Sequence, residues 1–182
     1  MMITDTISRE KYKYSQFTPN NLELRVVYGL KESANLASLR QGYMEDYLLT
    51  ENATEEDKKI DAQSIHILYQ INNQLIGGIR FTDLGLKSCP IRNLGILSKL
   101  NINLNICEAG RLFLKPEFRS KSLQLLRMTS QLMSELGKYE YYMAICHDHF
   151  LPLYNQLTTI NLANNLSLPQ RDKNYNLILG KF

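Results

Sequence analysis

The sequence contains no tryptophan and only three cysteines, which stand singly at Cys89, Cys107 and Cys146. Because there is no Cys-x-x-Cys pair and the N-terminus does not resemble a signal peptide, we predict free thiols in a reducing cytoplasm. The same spacing disfavours a disulfide framework and a zinc site. No apolar run approaches the ~20 residues that a transmembrane helix needs, so the sequence predicts a soluble protein without a membrane segment.

A strong charge of one sign is also lacking. The formal net charge is +3, and Lys and Arg are scattered among Asp and Glu, so charge does not indicate a nucleic-acid partner. The net charge is compatible with an acidic protein partner. The 182 residues, 44% of them hydrophobic, suffice for one domain with a substantial core. We predict an N-terminal arm over residues 1–21, either loose or a short surface helix, and one domain over residues 22–182.

Hydrophobic periodicity predicts a chain in which strands and helices alternate. Asn72-Asn73 is a two-residue turn signal between two of the strands, and Gly137 ends the clearest helix. The predicted order is β-α-ββ-β-α-β-α-β-β, an α/β fold. The predicted strands are 22–28, 64–69, 74–81, a strand containing Glu108, 141–146, 160–168 and 174–180. The predicted helices are 31–49, 121–137 and 150–157, with loops carrying at most short helices at 50–61 and around 95–100.

The segment from Glu108 to Ser122 resembles a working site. Glu108 and Arg111 interrupt an apolar strand, and a carboxylate there is costly to bury without partners or a substrate. The turn at residues 119–122 then opens the 121–137 helix, whose first backbone N–H groups could bind a phosphate. A strand, a carboxylate and an anion cradle in succession are a layout suited to acyl transfer.

This order and several separated motifs resemble the GNAT acyltransferase fold. Within it they are similar to the branch of acyl-homoserine lactone synthases and long-chain N-acyl amino acid synthases, over residues 24–157. Arg40 stands in the first helix where that branch has an arginine, and Asp61 precedes the hairpin. Gly77-Gly78-Ile79-Arg80 resembles its Gly-x-x-Arg. Glu108-x-x-Arg111 resembles its Glu-x-Ser-Arg, with Gly110 in place of serine. The resemblance implies a single GNAT-like domain with a mixed, mostly antiparallel sheet flanked by helices.

Two departures from this branch bear on the substrates. The tryptophan usual in homoserine lactone synthases is absent, and of their Glu-x-Asp-x-x-Asp run only Asp61 is well placed, which argues against S-adenosylmethionine as the acceptor. The phosphate loop of acetyl-CoA enzymes carries glycines, but residues 119–124 have none. A bulkier loop grips a pyrophosphate less closely. This favours a donor with a single phosphate, namely acyl-carrier protein with its phosphopantetheine arm.

An amine that attacks a thioester must lose a proton, and Glu108 is the candidate general base. The resemblance implies Tyr154 as the general acid for the departing thiolate; the alternative is that its ring packs in the core. The arginines Arg40, Arg80 and Arg111, with Asp61 as an orienting partner, could hold an acceptor carboxylate. The alternative is a structural ion network among these residues and Glu108.

On the donor side, the backbone of Leu112, Phe113 and Leu114 is predicted to pair with the pantetheine amides, as an added strand would. Arg119, Ser120 and Ser122 are predicted to bind the phosphate. A basic rim, defined as Lys115, Arg119, Lys121 and Arg127, could meet an acidic carrier protein or simply be solvated. Residues that could line an acyl tunnel, or be ordinary core, are Phe113, Phe118, Met128, Met133 and Met143.

His147 and His149 lie at a strand end, where a histidine could shuttle a proton, whereas a metal site there is disfavoured. No tightly bound cofactor is predicted, only an acyl-phosphopantetheine thioester as co-substrate. The sequence thus predicts a cytoplasmic N-acyltransferase that acylates an amine of an amino acid or peptide. Three alternatives remain: an acetyl-CoA-dependent N-acetyltransferase, an acyl-homoserine lactone synthase, and a non-catalytic binding module of the same fold.

Overall fold

The computed structural model describes residues 11–13, 21–29, 55–87, 89–95, 97, 105–168 and 174–182. Within them the strands are β1 (Lys11–Lys13), β2 (Leu22–Tyr28), β3 (Ile65–Ile71), β4 (Gln74–Asp83), β5 (Ile106–Leu114), β6 (Tyr141–His147), β7 (Thr159–Ser167) and β8 (Asn174–Lys181). The helices are α1 (Glu55–Asp61), α2 (Pro90–Asn93), α3 (Ser122–Leu136) and α4 (Leu151–Asn155), with short 3-10 helices at Pro116–Lys121 and Asp148–Phe150.

The strands form one mixed sheet in the order β1-β2-β3-β4-β5-β6-β8-β7. Antiparallel pairing joins β1 to β2, β2 to β3, β6 to β8 and β7 to β8, while β5 and β6 pair in parallel. A parallel pair needs a long crossover connection, and here that connection contains α3. The mixed, mostly antiparallel sheet with flanking helices is the predicted fold class, which is confirmed.

The chain folds into two compact units. The first comprises Met1–Arg80 and Arg111–Arg119, and the second comprises Phe81–Gly110 and Ser120–Phe182. In the first unit, β2 buries Leu22, Leu24, Val26 and Val27, and β3 buries every residue from 65 to 69. In the second unit the buried side chains come from α3 and from β6 and β8, among them Leu125, Leu132, Met133, Met143 and Leu177.

Local sequence signals place several elements correctly. The strand β2 has the predicted bounds. Asn72 and Asn73 both have positive φ, at 49° and 64°, which is the backbone of the two-residue hairpin turn that the pair predicts. The helix α3 ends where Gly137 takes the left-handed conformation and its N–H bonds back to the carbonyls of Met133 and Ser134, as a glycine C-cap does.

Other predictions differ from the structure. In the arm, residues 11–13 are neither loose nor helical: they form β1, which pairs with residues 23–25 of β2. A short helix lies at Pro90–Asn93, where Pro90 at the first helical position is pre-organised to begin a helix. Most of the predicted short helix around residues 95–100 lies outside the described residues. The predicted helix at residues 31–49 lies outside the described residues, and the boundary between an arm and a domain stays a prediction.

Gly77 allows two backbones to approach closely inside the first unit. A Cβ at this position would lie 2.6 Å from the carbonyl oxygen of Phe113 and 2.7 Å from a methyl carbon of Leu114. We expect Gly77→Ala to lower the free energy of unfolding by roughly 1–3 kcal/mol, since the overlap is with backbone that cannot rotate away. Chemical denaturation measures this. Gly78→Ala, whose Cβ would meet its nearest atoms at 3.0 Å, is the matched control and should cost less; equal stability of Gly77→Ala and the parent would contradict the argument.

Candidate active site

Glu108 is buried in the second unit. It lies on β5 on the same face as Ile106 and Gly110, and it is 7% exposed. One carboxylate oxygen, Oε2, accepts two hydrogen bonds: from the Cys89 thiol at a donor–acceptor distance of 3.0 Å, and from the Ile91 backbone N–H at 3.2 Å. Both donors stand at the start of α2, where the first N–H groups of a helix have no intrahelical acceptor. The helix start thereby satisfies a carboxylate that would otherwise be costly to bury.

The Cys89 thiol is a donor because it keeps its proton. Burial raises the pKa of Cys89 to about 12, and the negative charge and hydrogen bond of Glu108 add to that rise. A thiol with such a pKa stays neutral throughout the physiological range, so it is a poor nucleophile. All three cysteines are free and buried. The contact between Cys89 and Glu108 is a feature that the sequence analysis did not anticipate.

The Cys89 side of the carboxylate is apolar. Cys89, Ile91, Ile106, Met143 and Leu177 form one buried cluster. Met143 is the register partner of Glu108 in the parallel β5–β6 pair, so their side chains point to the same face of the sheet. Hydrogen bonds are strong in such surroundings, since little water competes for the donors. The position of Oε2 is therefore well determined.

The other carboxylate oxygen lies over Gly110. A Cβ at position 110 would be 2.9 Å from Oε1 of Glu108, closer than real Cβ atoms approach an oxygen, so the glycine provides the space that Oε1 occupies. Within the described part of the chain, the hydrogen bonds to this carboxylate both go to Oε2. The two oxygens thus have different surroundings: Oε2 accepts two hydrogen bonds, and Oε1 lies next to the Cα of a glycine.

Glu108 also marks the end of the pairing between β5 and β6. The register of the described residues covers Ile106–Tyr141, Cys107–Tyr142 and Glu108–Met143. Beyond that point β6 continues to His147 and remains paired to β8 on its other edge. The registered part of the β5–β6 pair therefore ends at Glu108 and Met143.

Arg111, three residues further along β5, has a φ of +54°. This left-handed conformation is uncommon for a residue with a side chain and costs on the order of 1 kcal/mol or more. Such outliers in a strand accompany bulges, which change the direction of the strand and of its side chains. The second residue of the Glu108-x-x-Arg111 motif therefore lies at an irregularity of the backbone.

The structure places Asp61 against Arg80 in the first unit. Arg80 Nη1 donates to Asp61 Oδ1 at 2.8 Å, and the two side chains are 1% and 12% exposed. The backbone around Asp61 is also fixed. His66 Nε2 lies 3.0 Å from the Asp61 carbonyl oxygen, and the Ser64 hydroxyl donates to the carbonyl of Ile60 at 2.7 Å. This ion pair is buried and well supported, whereas Arg40 lies outside the described residues.

Tyr154 is on α4 in the second unit and is 9% exposed.

His147 and His149 lie at the end of β6, as predicted, with their Nδ1 atoms 2.6 Å apart. The Nδ1 of His147 also accepts a hydrogen bond from the His149 backbone N–H at 3.4 Å. Asp148 between them accepts a hydrogen bond from the Asn176 side chain at 2.6 Å. Among the described residues, no three His, Cys, Asp or Glu side chains are grouped to hold a metal ion.

The predicted donor residues occupy the end of β5 and the start of α3. In the first unit the Lys115 N–H donates to the Ile76 carbonyl at 2.9 Å, which ties the end of β5 after Leu114 to β4. Of the segment predicted as a phosphate loop, residues 119–121 end the 3-10 helix Pro116–Lys121, and Ser122 begins α3. The residues predicted to bind the donor, to form the basic rim or to line an acyl tunnel differ in exposure. The half-buried ones are Leu112, Lys115, Phe118, Lys121, Ser122 and Met128. The exposed ones are Arg119, Ser120 and Arg127, and the buried ones are Phe113, Leu114, Met133 and Met143.

No protein-family model matches the sequence, and no curated protein matches it. Solved structures do resemble it. The CoA-dependent acyl-homoserine lactone synthase BjaI, solved with MTA, has a TM-score of 0.65 at 15% identity over 86% of this chain and 81% of that chain. The homoserine lactone synthase LasI has a TM-score of 0.63 at 12% identity, over 88% and 90%. An acyl-CoA N-acyltransferase from Pseudomonas aeruginosa has a TM-score of 0.60 at 15% identity, over 87% and 99%.

Among the helices of the described residues, none has the length and hydrophobicity of a transmembrane segment.

The strand order, with its parallel β5–β6 pair, and the similarity to three solved acyltransferases indicate the same architecture. At these identities, the similarity establishes architecture. The chain therefore has the fold of these structures, the GNAT fold.

Proposed function

We propose that this protein is an N-acyltransferase that moves a fatty acyl group from a thioester, on acyl-carrier protein or CoA, to an amine of an amino acid or peptide. The observation that carries the proposal is the buried Glu108 carboxylate at the last registered pair of β5 and β6, with Oε2 held by two donors and Oε1 beside Gly110. A carboxylate in this arrangement can accept a proton in a fixed direction, which is what a general base requires.

The proposed reaction is direct transfer. The neutral amine nitrogen attacks the thioester carbonyl carbon, a C–N bond forms and the C–S bond breaks. The proton lost by the amine passes to Glu108, and the departing thiolate takes a proton from the Tyr154 hydroxyl. Proton exchange with solvent then returns Glu108 to the carboxylate and Tyr154 to the phenol. The products are an amide and a free thiol. A cysteine acyl-enzyme is not part of this route, because the Cys89 thiol stays protonated and its side chain is fully buried.

Support for a thioester donor comes from the fold, since BjaI has been solved with isopentyl-CoA and other acyltransferases share this architecture. Support for a carrier protein is the glycine-free, 3-10 helical segment before α3 and the exposed cations Arg119 and Arg127. For the acceptor, three arginines in the sequence favour a carboxylate-bearing amine. Acyl-carrier protein, the fatty chain and a cytoplasmic location remain parts of the proposal.

A second candidate is an acyl-homoserine lactone synthase. It is favoured by the similarity to BjaI and LasI, and BjaI has also been solved with SAM. The absence of tryptophan and of most of the acidic run counts against it. The two candidates differ in the acceptor, so S-adenosylmethionine should be assayed beside free amino acids and short peptides.

The test is a product assay by mass spectrometry. Purified protein is supplied with long-chain acyl-carrier protein, long-chain acyl-CoA or acetyl-CoA, together with a mixture of amine acceptors. Lipids extracted from cells that overproduce the parent protein or Glu108→Gln identify the natural product. Formation of a fatty amide that depends on Glu108 supports the proposal. No product from any thioester would favour the binding module of the same fold.

We expect long-chain acyl-carrier protein to exceed acetyl-CoA in kcat/KM by about 10-fold or more, an advantage of ~1.4 kcal/mol. Part of this advantage should be lost as salt is raised, because ions screen the attraction between exposed arginines and an acidic carrier. Arg127→Ala should weaken only the carrier reaction, and rates with acyl-CoA serve as the matched control. A preference for acetyl-CoA would establish the acetyltransferase alternative instead.

A further inference from the structure

We propose that Cys89 is a positioning residue for Glu108: its thiol and the adjacent Ile91 N–H hold Oε2 so that Oε1, over Gly110, is the oxygen that takes the acceptor's proton. This inference rests on the proposed function. It adds a specific residue, on a different element from Glu108, that nothing in the sequence motifs indicates. Cys89 itself touches neither substrate nor the reacting atoms in this scheme.

The geometry supports different roles for the two carboxylate oxygens of Glu108. A carboxylate rotates about its last bond unless one oxygen is fixed, and a rotated carboxylate would present either oxygen to the acceptor. Two donors on the same oxygen, at 3.0 and 3.2 Å, oppose that rotation. The absence of a side chain at Gly110 leaves the space that the other oxygen occupies. Correct orientation of a reacting group is a large part of enzymatic rate acceleration.

A thiol is suited to this role in an apolar cluster. Sγ–H is a weak donor and an otherwise hydrophobic group, so Cys89 packs with Ile91, Ile106, Met143 and Leu177 and still directs its proton to Glu108. It also resists ionisation, with a pKa raised to about 12. The donor therefore does not switch off within the physiological pH range.

The kinetic test uses Cys89→Ala and Cys89→Ser, each made in the parent and in Glu108→Gln. Cys89→Ala should lower kcat about 10-fold with little change in either KM, the scale of one hydrogen bond to a charged group. Cys89→Ser keeps a donor and should recover kcat to within about 3-fold of the parent. In Glu108→Gln, Cys89→Ala should cost less than about 2-fold, because residues that act through one another are not additive.

Three kinetic outcomes would overturn the proposal. Equal loss from Cys89→Ala in both backgrounds would make Cys89 a structural residue only. Failure of the serine variant to recover activity, at a melting temperature equal to that of the alanine variant, would remove the hydrogen bond from the explanation. An acyl adduct on Cys89 in the mass spectrum of the protein would make it a nucleophile.

A spectroscopic test is independent of catalysis. The S–H stretching band of Cys89 can be identified in the infrared spectrum as the band missing from Cys89→Ala. We expect this band to move in Glu108→Gln, since an amide is a weaker acceptor than a carboxylate. A band that does not move overturns the contact, whatever the protein's activity. If the band moves but no acyl product forms from any thioester, the proposed function fails while the contact stands.

Discussion

Glu108→Gln should lower kcat for acyl transfer by about 100-fold or more, the scale of a lost general base. Glutamine has the shape of glutamate, and its carbonyl oxygen can occupy the Oε2 position and accept from the Cys89 thiol and the Ile91 N–H. Its NH2 group would then lie over Gly110, where it cannot accept a proton. The substitution thus removes the base while it keeps the packing. Turnover at saturating concentrations of both substrates measures the effect.

Two controls accompany this experiment. Glu140→Gln makes the same chemical change at an exposed position between α3 and β6 and should leave kcat within about 2-fold of the parent. A melting curve shows whether Glu108→Gln remains folded. Unchanged acyl transfer by a folded Glu108→Gln protein would remove Glu108 from catalysis.

Asp61→Ala should lower the free energy of unfolding by roughly 3 kcal/mol, because it leaves the buried guanidinium of Arg80 without its carboxylate. Arg80 is 1% exposed and its ion pair with Asp61 is 2.8 Å long, so water cannot readily replace the lost partner. For a chain of this length the melting temperature should fall by roughly 6–12 °C. Calorimetry measures it. Glu117→Ala, which removes an exposed carboxylate from the 3-10 helix, should change stability by less than about 0.5 kcal/mol.

Kinetics with Arg80→Lys then separate a structural ion pair from an acceptor site. Lysine keeps the charge but not the two parallel donors that match a carboxylate. If Arg80 binds the acceptor, KM for an amino acid should rise more than kcat falls, because the contact exists in both ground and transition states. Lower stability with an unchanged KM would leave Arg80 and Asp61 a structural pair and would direct the search for the acceptor site elsewhere.

The elements that the sequence predicted correctly are those with a local cause. Alternating burial in residues 22–26 is a property of five neighbouring side chains, and the helix ending at Gly137 depends on one glycine in the left-handed conformation. By contrast, β1 has only three residues and α2 only four. A periodicity cannot be recognised over so few positions, so neither could be located from hydrophobic periodicity.

The sequence directed attention to Glu108 but not to the groups that surround it. Glu108 stood out because a carboxylate in an apolar strand demands a partner. The partner was not predictable, because Cys89 is 19 positions away in sequence and a single cysteine between a serine and a proline carries no motif. The left-handed backbone at Arg111 had no local signal either, since arginine does not favour it.

The short register between β5 and β6 also affects the hydrogen exchange of the backbone amides of β6. In an antiparallel ladder, residues alternate between those bonded to the neighbouring strand and those facing away from it. Between Ala144 and His147, alternate backbone N–H groups are therefore bonded to β8 and the others face the edge where pairing with β5 has ended. We expect hydrogen exchange at these amides to divide into a slow set, bonded to β8, and a faster set on the other edge of β6.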